Sequence, residues 1–153
     1  MPVFDNLSST GKYIEKAIIA SLEHEVSSLV EDTLRKYLYE RLYSYSPKVY
    51  ERTYELMNSI TRSKAIKTAN GYEIEVYFDT DKIHGNSLTG QHYEYGKDIS
   101  EYIPWMAEDG VIQPLTSNHR GGFVEATIEE LGSIGTHIDA LRKALRNKGV
   151  NAI

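Results

Sequence analysis

From Gly11 to about Tyr43 apolar residues return every three or four positions: Ile14, Ile18, Leu22, Val26, Leu29 and Val30, Leu34, Tyr37 and Leu38, then Leu42. Opposite them lie Glu15, Lys16, Glu23, Glu25, Glu31, Asp32, Arg35, Lys36, Glu40 and Arg41. The spacing predicts one amphipathic helix of about thirty residues, roughly 45 Å long. That length constrains everything else. A chain of 153 residues makes one domain, too small to cover such a helix alone. Part of the stripe is therefore expected to meet another element or another subunit.

Tyr43-Ser-Tyr-Ser-Pro47 breaks the pattern. Ser46 and Pro47 read as a cap and first helical position, predicting a short helix from Lys48 to about Ile60. The period then drops to two. Lys64–Ala69 and Tyr72–Asp79 flank Asn70-Gly71, a hairpin signal, because a type I′ turn needs positive φ at both central positions. Tyr72, Ile74, Val76 and Phe78 alternate with Glu73, Glu75 and Tyr77. This predicts an antiparallel sheet covered on one face and acidic on the other.

Residues 80–122 carry many Gly, Pro and Tyr but no clean period. So long a run must contain short elements or a functional loop, expected near Gln91–Tyr95 and Ile99–Met106. Phe123 to Asn147 predicts a C-terminal helix with Val124, Ile128, Leu131, Ile134, Ile138, Leu141 and Leu145 as its stripe. Gly132 and Gly135 weaken its middle by about 1 kcal/mol each, and allow close packing or a bend. Gly149 sits where a left-handed stop belongs. The predicted fold is α+β in a single domain: an N-terminal helical arm (1–45) and a core (46–153). That core holds a short helix, an antiparallel sheet of about four strands, and a long C-terminal helix packed on the sheet.

Composition narrows the function. Without cysteine there is no disulfide, thiolate nucleophile or sulfur-ligated zinc. A net charge of −5 and a pI near 5.5 argue against a surface built to neutralise DNA phosphates. No apolar run approaches the roughly 18 residues that cross a bilayer, and Met1–Asn6 lacks the features of a secretory signal. Synthesis in the cytoplasm and no membrane partner are expected. Twelve tyrosines, against one tryptophan and three phenylalanines, favour an aromatic with a polar tip. Such residues suit subunit interfaces as well as half-buried core positions.

The five histidines (His24, His84, His92, His119, His137) show no metal-ligand spacing. Asp79, Asp81 and His84 could hold a divalent cation for nuclease chemistry, but Asp directly after a strand is a common turn residue. Arg120-Gly121-Gly122 could offer backbone N–H groups to an anion, or simply turn the chain into the last helix. In that helix Glu125, Glu129 and Glu130 at the start, and Arg142, Lys143, Arg146 and Lys148 at the end, follow the polarity of the helix dipole. No nucleophile, base and supporting group recur in a known arrangement, so neither an enzyme nor a cofactor is expected.

Three segments in order carry a likeness: Val49-Tyr-Glu-Arg-Thr-Tyr-Glu-Leu-Met-Asn-Ser-Ile60 before the acidic hairpin, then Gln91-His-Tyr-Glu-Tyr-Gly-Lys-Asp98, then Arg120-Gly-Gly-Phe-Val-Glu-Ala126 opening the last helix. Over residues 45–148 this set resembles the small head–tail joining proteins of long-tailed phages, the neck or tail-completion family. Tyr-Glu-Arg-Thr-Tyr is similar to the form found in phages and prophages of Gram-positive bacteria. The resemblance implies a non-enzymatic virion subunit, assembled in the host cytoplasm. It would form a ring of roughly six or twelve copies around the DNA channel, between portal and tail. Tail terminator is the neighbouring possibility; a small cytoplasmic regulator that binds one protein is the other reading. Ring neighbours would be its own copies and adjacent connector, portal or tail-tube proteins, with DNA passing unbound. On this reading Tyr93, Tyr95, Tyr102, Trp105, Tyr37 and Tyr43 are candidate interface anchors. Glu73, Glu75, Asp79 and Asp81 are candidate lumen-lining carboxylates that repel phosphate.

Overall fold

A computed structural model describes residues 7–44, 54–84, 100–110 and 121–151. Helix α1 (Leu7–Ser21) passes through a π-helical turn (Leu22–Val26) into α2 (Ser27–Leu38), and a second π turn (Tyr39–Tyr43) ends the run. The expected long helix is present and starts one turn earlier than Gly11. Its most buried row differs from the expected one. Ala17 and Ser21 are buried where Ile18 and Leu22 were expected, while Ile14 is exposed. Beyond the first π turn the row resumes at Val26 and Ser27, then Thr33, Leu34 and Leu38. A π turn takes in extra chain per turn and so rotates everything after it. The buried serines satisfy their hydroxyls one turn back, Ser21 on the Ala17 carbonyl and Ser27 on that of Glu23, both at 2.7 Å.

The expected helix over 48–60 is cut short. Its start, with the Ser46-Pro47 cap, lies outside the described residues. Tyr54 takes the left-handed conformation (φ 56°), α3 covers only Glu55–Asn58, and Ile60 already belongs to strand β1 (Ile60–Arg62). Strands β2 (Ile66–Thr68), β3 (Gly71–Glu73) and β4 (Val76–Phe78) follow. The fold is α+β with four short antiparallel strands, but they form two sheets, β1–β4 and β2–β3. The run Tyr72–Asp79 divides at Ile74-Glu75, where Ser63 donates its amide to the Glu75 carbonyl (2.9 Å) and accepts the Glu75 amide on its hydroxyl (3.0 Å). The alternation holds through the break: from Tyr72 to Phe78 even-numbered residues are half-buried and odd-numbered ones exposed.

The hairpin register is Ile66↔Glu73, Lys67↔Tyr72 and Thr68↔Gly71. Ala69-Asn70 is therefore the loop in place of Asn70-Gly71, and neither residue takes positive φ, so the turn is not type I′. Gly71 instead opens β3 at φ 151°, a value open to glycine. This register sets Lys67 directly opposite Tyr72, and both side chains reach Glu15.

The C-terminal helix is two helices, α5 (Phe123–Ile134) and α6 (Thr136–Asn147), separated by Gly135 at φ 67°. Gly149 (φ 77°) ends α6 as expected. The Val150 amide bonds the Leu145 carbonyl and the Gly149 amide that of Arg146, each at 2.9 Å, the Schellman pattern. The expected apolar stripe is only partly buried. Ile128, Ile134 and Ile138 are 66%, 63% and 46% exposed, and small or neighbouring residues (Ala126, Thr127, Ala144) take the inner positions.

The chain divides into two compact units. Described residues of the first come from Met1–Asp32, Arg62–Val76 and Glu129–Ile153. Here α6 packs on α1 and on the Leu22–Val26 turn, where packing on the sheet was expected. Tyr13 donates its hydroxyl to the Lys148 carbonyl, and the Lys148 ammonium meets Glu25 at 2.6 Å. The second unit draws on Thr33–Thr61 and Tyr77–Ile128. Its core holds Leu34, Leu38, Leu56, Ile60, Ile83, Met106, Ala107 and Phe123. The Phe123 ring meets Phe78 of β4 edge-on, 5.9 Å between centroids.

Candidate interaction surface

Acidic residues that the sequence assigned to the wet face of the long helix have partners. Within the first unit, Glu15 accepts from Lys67 (3.3 Å) and from the Tyr72 hydroxyl. Glu23 accepts from the Ala65 amide at 2.9 Å. Glu31 meets Arg62 at 2.9 Å, and the same guanidinium reaches the Ser27 and Ser28 hydroxyls at 3.1 and 2.7 Å. The helix numbers rise by eight, 15, 23, 31, as the partners fall, 67, 65, 62. An extended segment thus runs antiparallel along the helix, held at every second turn. The Tyr72 hydroxyl, then Lys67, hold the Glu15 carboxyl below its ordinary pKa; the same contacts push Lys67 and Tyr72 up. Burial works to raise Glu25, but its hydrogen bonds from Lys148 and its own backbone, with the nearby positive charge, leave it lowered.

The helix start that follows Gly121-Gly122 is closed by the chain itself. Glu108 accepts the amides of Val124 (2.9 Å) and Glu125 (3.1 Å), capping α5, and its backbone carbonyl accepts the Gly122 amide at 2.7 Å. Arg41 bonds the Gly121 carbonyl at 3.2 Å. Arg120 lies outside the described residues.

Among the candidate metal ligands, Asp79 pairs with Lys82 at 3.0 Å, while His84 takes Glu55 through both its amide (2.9 Å) and its ring (3.2 Å). Lys82 also donates to Thr61 at 2.9 Å. Among the described residues no three His, Asp or Glu side chains gather to hold a metal ion.

Of the candidate anchors, Tyr93 and Tyr95 lie outside the described residues. Tyr37 is half-buried, with the Lys36 ammonium 4.7 Å from its ring centre. Tyr43 stacks on Tyr54 at 4.9 Å. Tyr102 and Trp105 are different. They stand 58% and 59% exposed on the single turn Ser100–Tyr102 and the helix α4 (Ile103–Glu108) that continues it. Pro104 in the first turn favours helix there. Met106 and Ala107 turn inward, leaving Glu101, Tyr102, Trp105 and Asp109 on the outer side at helical spacing. The turn Thr80–Lys82 packs on the Ser100–Tyr102 turn and brings the exposed Asp81 into the same unit. The sequence reading identified the aromatics but missed Glu101 and Asp109, whose i, i+4 spacing about Trp105 was the available signal.

Of the candidate lumen carboxylates, Glu73 and Glu75 are exposed in the first unit. In the second, Asp81 is exposed and Asp79 is half-buried beside Lys82. Among the described residues no helix is long and apolar enough to cross a membrane. Comparison with curated proteins and with solved structures returned no match. The YomN family model matches residues 6–147, nearly the whole length, so the chain belongs to the YomN family, a phage-associated family.

Proposed function

We propose that this chain is a structural ring subunit of a phage head–tail connector, at the neck or as tail terminator, and acts without catalysis. The observation that carries the reading is the exposed pair Tyr102 and Trp105 in a chain of phage-associated family. Burying a tryptophan and a tyrosine together removes enough apolar surface to anchor a protein interface, and such residues dominate interface energetics. Tyr102 ends the turn that leads into α4 and Trp105 lies on α4 itself, so one partner surface can cover both.

Copies arranged head to tail close into a ring when the rotation between neighbours allows it. Exposed Glu73 and Glu75 of the first unit suit a channel wall, because like charge keeps phosphate from adhering within the roughly 8 Å over which salt leaves the field effective. Assembly in the host cytoplasm and residence in the virion follow from this role.

The test is negative-stain microscopy of lysates from a phage or prophage lacking the gene, with and without added protein. DNA-filled heads beside separate tails, joined on addition, support the reading. Normal particles made without the protein refute it. Tyr102→Ala with Trp105→Ala is expected to give a folded protein that joins nothing.

A further inference from the structure

The outer side of α4 is aromatic in the middle and acidic at both ends. Glu101 precedes Tyr102 and Trp105, Asp109 follows one turn later, and exposed Asp81 lies on the turn packed on Ser100–Tyr102. Lys82, the cation next to Asp81 in sequence, is held by Asp79 and Thr61. A surface of this composition fits a cation carried on an apolar support. The aromatic rings attract the cation through their faces and the carboxylates attract it through charge.

The chain has a surface of the opposite composition on α6. Ile138, Arg142 and Arg146 recur at four-residue spacing, Lys143 sits beside them, and all four are exposed. The one carboxylate among them, Asp139, meets Arg142 at 3.4 Å, which leaves a net positive face. The apolar residue and the basic charge of this face complement the aromatic and acidic character of the α4 strip.

We infer that the α4 strip of one copy (Glu101, Tyr102, Trp105, Asp109) docks on the α6 face of a second copy of this chain (Ile138, Arg142, Lys143). The two surfaces are distinct, so each copy offers one strip and one face. With neighbours related head to tail, each added copy leaves one of each open, and assembly continues until a ring closes. The inference deepens the ring-subunit reading and rests on it for its biological setting.

Opposite charges on separate surfaces permit a swap. One full-length variant carries Arg142→Glu and Lys143→Glu, making both surfaces acidic. A second carries Glu101→Lys and Asp109→Lys, making both basic. Association of each, and of their equimolar mixture, is followed by sedimentation velocity up to the millimolar range, with circular dichroism confirming the fold. Wild type is expected to associate, each variant alone at least about tenfold more weakly, and the mixture to recover the wild-type level. Trp105→Ala, which changes no charge, is expected to weaken association by a similar factor.

A wild type that stays monomeric throughout, a variant that associates as wild type does, or a mixture no better than its folded components would each overturn the contact. In the last case a basic segment of another protein becomes the occupant of the α4 strip. The joining assay separates this from the connector reading. Swap variants that each join particles normally sink the contact and leave the connector intact. Rescue by mixing, in a protein that joins no particles, keeps the contact and removes the connector.

Discussion

The carboxylate of Glu108 caps the helix that begins fifteen residues later, accepting the amide of Val124 at 2.9 Å and that of Glu125 at 3.1 Å. A helix start leaves four amides without internal partners, and here two of them find an anion from the end of the preceding described helix. Glu108→Ala is expected to cost about 1 kcal/mol, the usual worth of a cap. In a thermal melt that appears as a midpoint lower by roughly 2–4 °C. An unchanged midpoint would remove the cap from the account of α5.

Gly121, at φ 37°, cannot carry a side chain. A Cβ there would lie 2.1 Å from the Glu108 carbonyl oxygen and 2.8 Å from the Gly110 nitrogen, both backbone atoms. Gly121→Ala is expected to cost about 3 kcal/mol or more, as strain and overpacking act together. Gly132→Ala is the opposite case: helical and exposed, with nothing within 4 Å. It is expected to stabilise by about 0.5–1 kcal/mol through helix propensity. Denaturant midpoints of the two variants should move in opposite directions.

The contacts of Glu15 set a pH window. Its carboxyl is lowered, first by the Tyr72 hydroxyl and then by Lys67. Its contribution is therefore complete above the ordinary value of 4.5 and is lost as pH falls through the lowered one. Lys67 and Tyr72 are raised by the same contacts. Their share is complete below the ordinary values of 10.5 and 10.0 and is lost as pH climbs through the raised ones. Amide chemical shifts of Ile66–Tyr72 are expected to stay constant between about pH 5 and 9 and to move outside those limits. Glu15→Gln should remove the acid-side movement.

Glu23 holds the middle of the same segment through the Ala65 amide. Glu23→Ala is expected to speed hydrogen exchange at Ala65 by about tenfold, since one hydrogen bond to a charged acceptor is worth roughly 1.5–3 kcal/mol before solvent screening. Amides within α1 should keep their protection. Loss of protection across the whole helix would mean that Glu23 supports the helix itself.

Trp105 and Phe123 make a paired test of surface against core. Trp105→Ala removes a ring that is 59% exposed and should shift stability by no more than about 0.5–1 kcal/mol. Phe123 is fully buried against Phe78, and Phe123→Ala should cost about 3–5 kcal/mol. Comparable losses would mean that Trp105 belongs to the fold rather than to an interface.

What the sequence by itself determined is local. The 3.6-residue period over the long helix, the alternation through Tyr72–Phe78, a short element near Ile99–Met106 and the stop at Gly149 each depend on neighbours in the chain. The same local logic allowed a bend at Gly135 but could not say whether the helix would break there, as it does. Tertiary structure decided what depends on distant partners. It gave Glu15, Glu23 and Glu31 to the segment 62–67, gave the Val124 and Glu125 amides at the start of α5 to Glu108, and divided one alternating run between two sheets. A carboxylate on a helix surface has the same local signature whether it faces water or a donor fifty residues away. The choice between the two is made by which buried groups would otherwise lack a hydrogen bond, and that is settled only when the chain is folded.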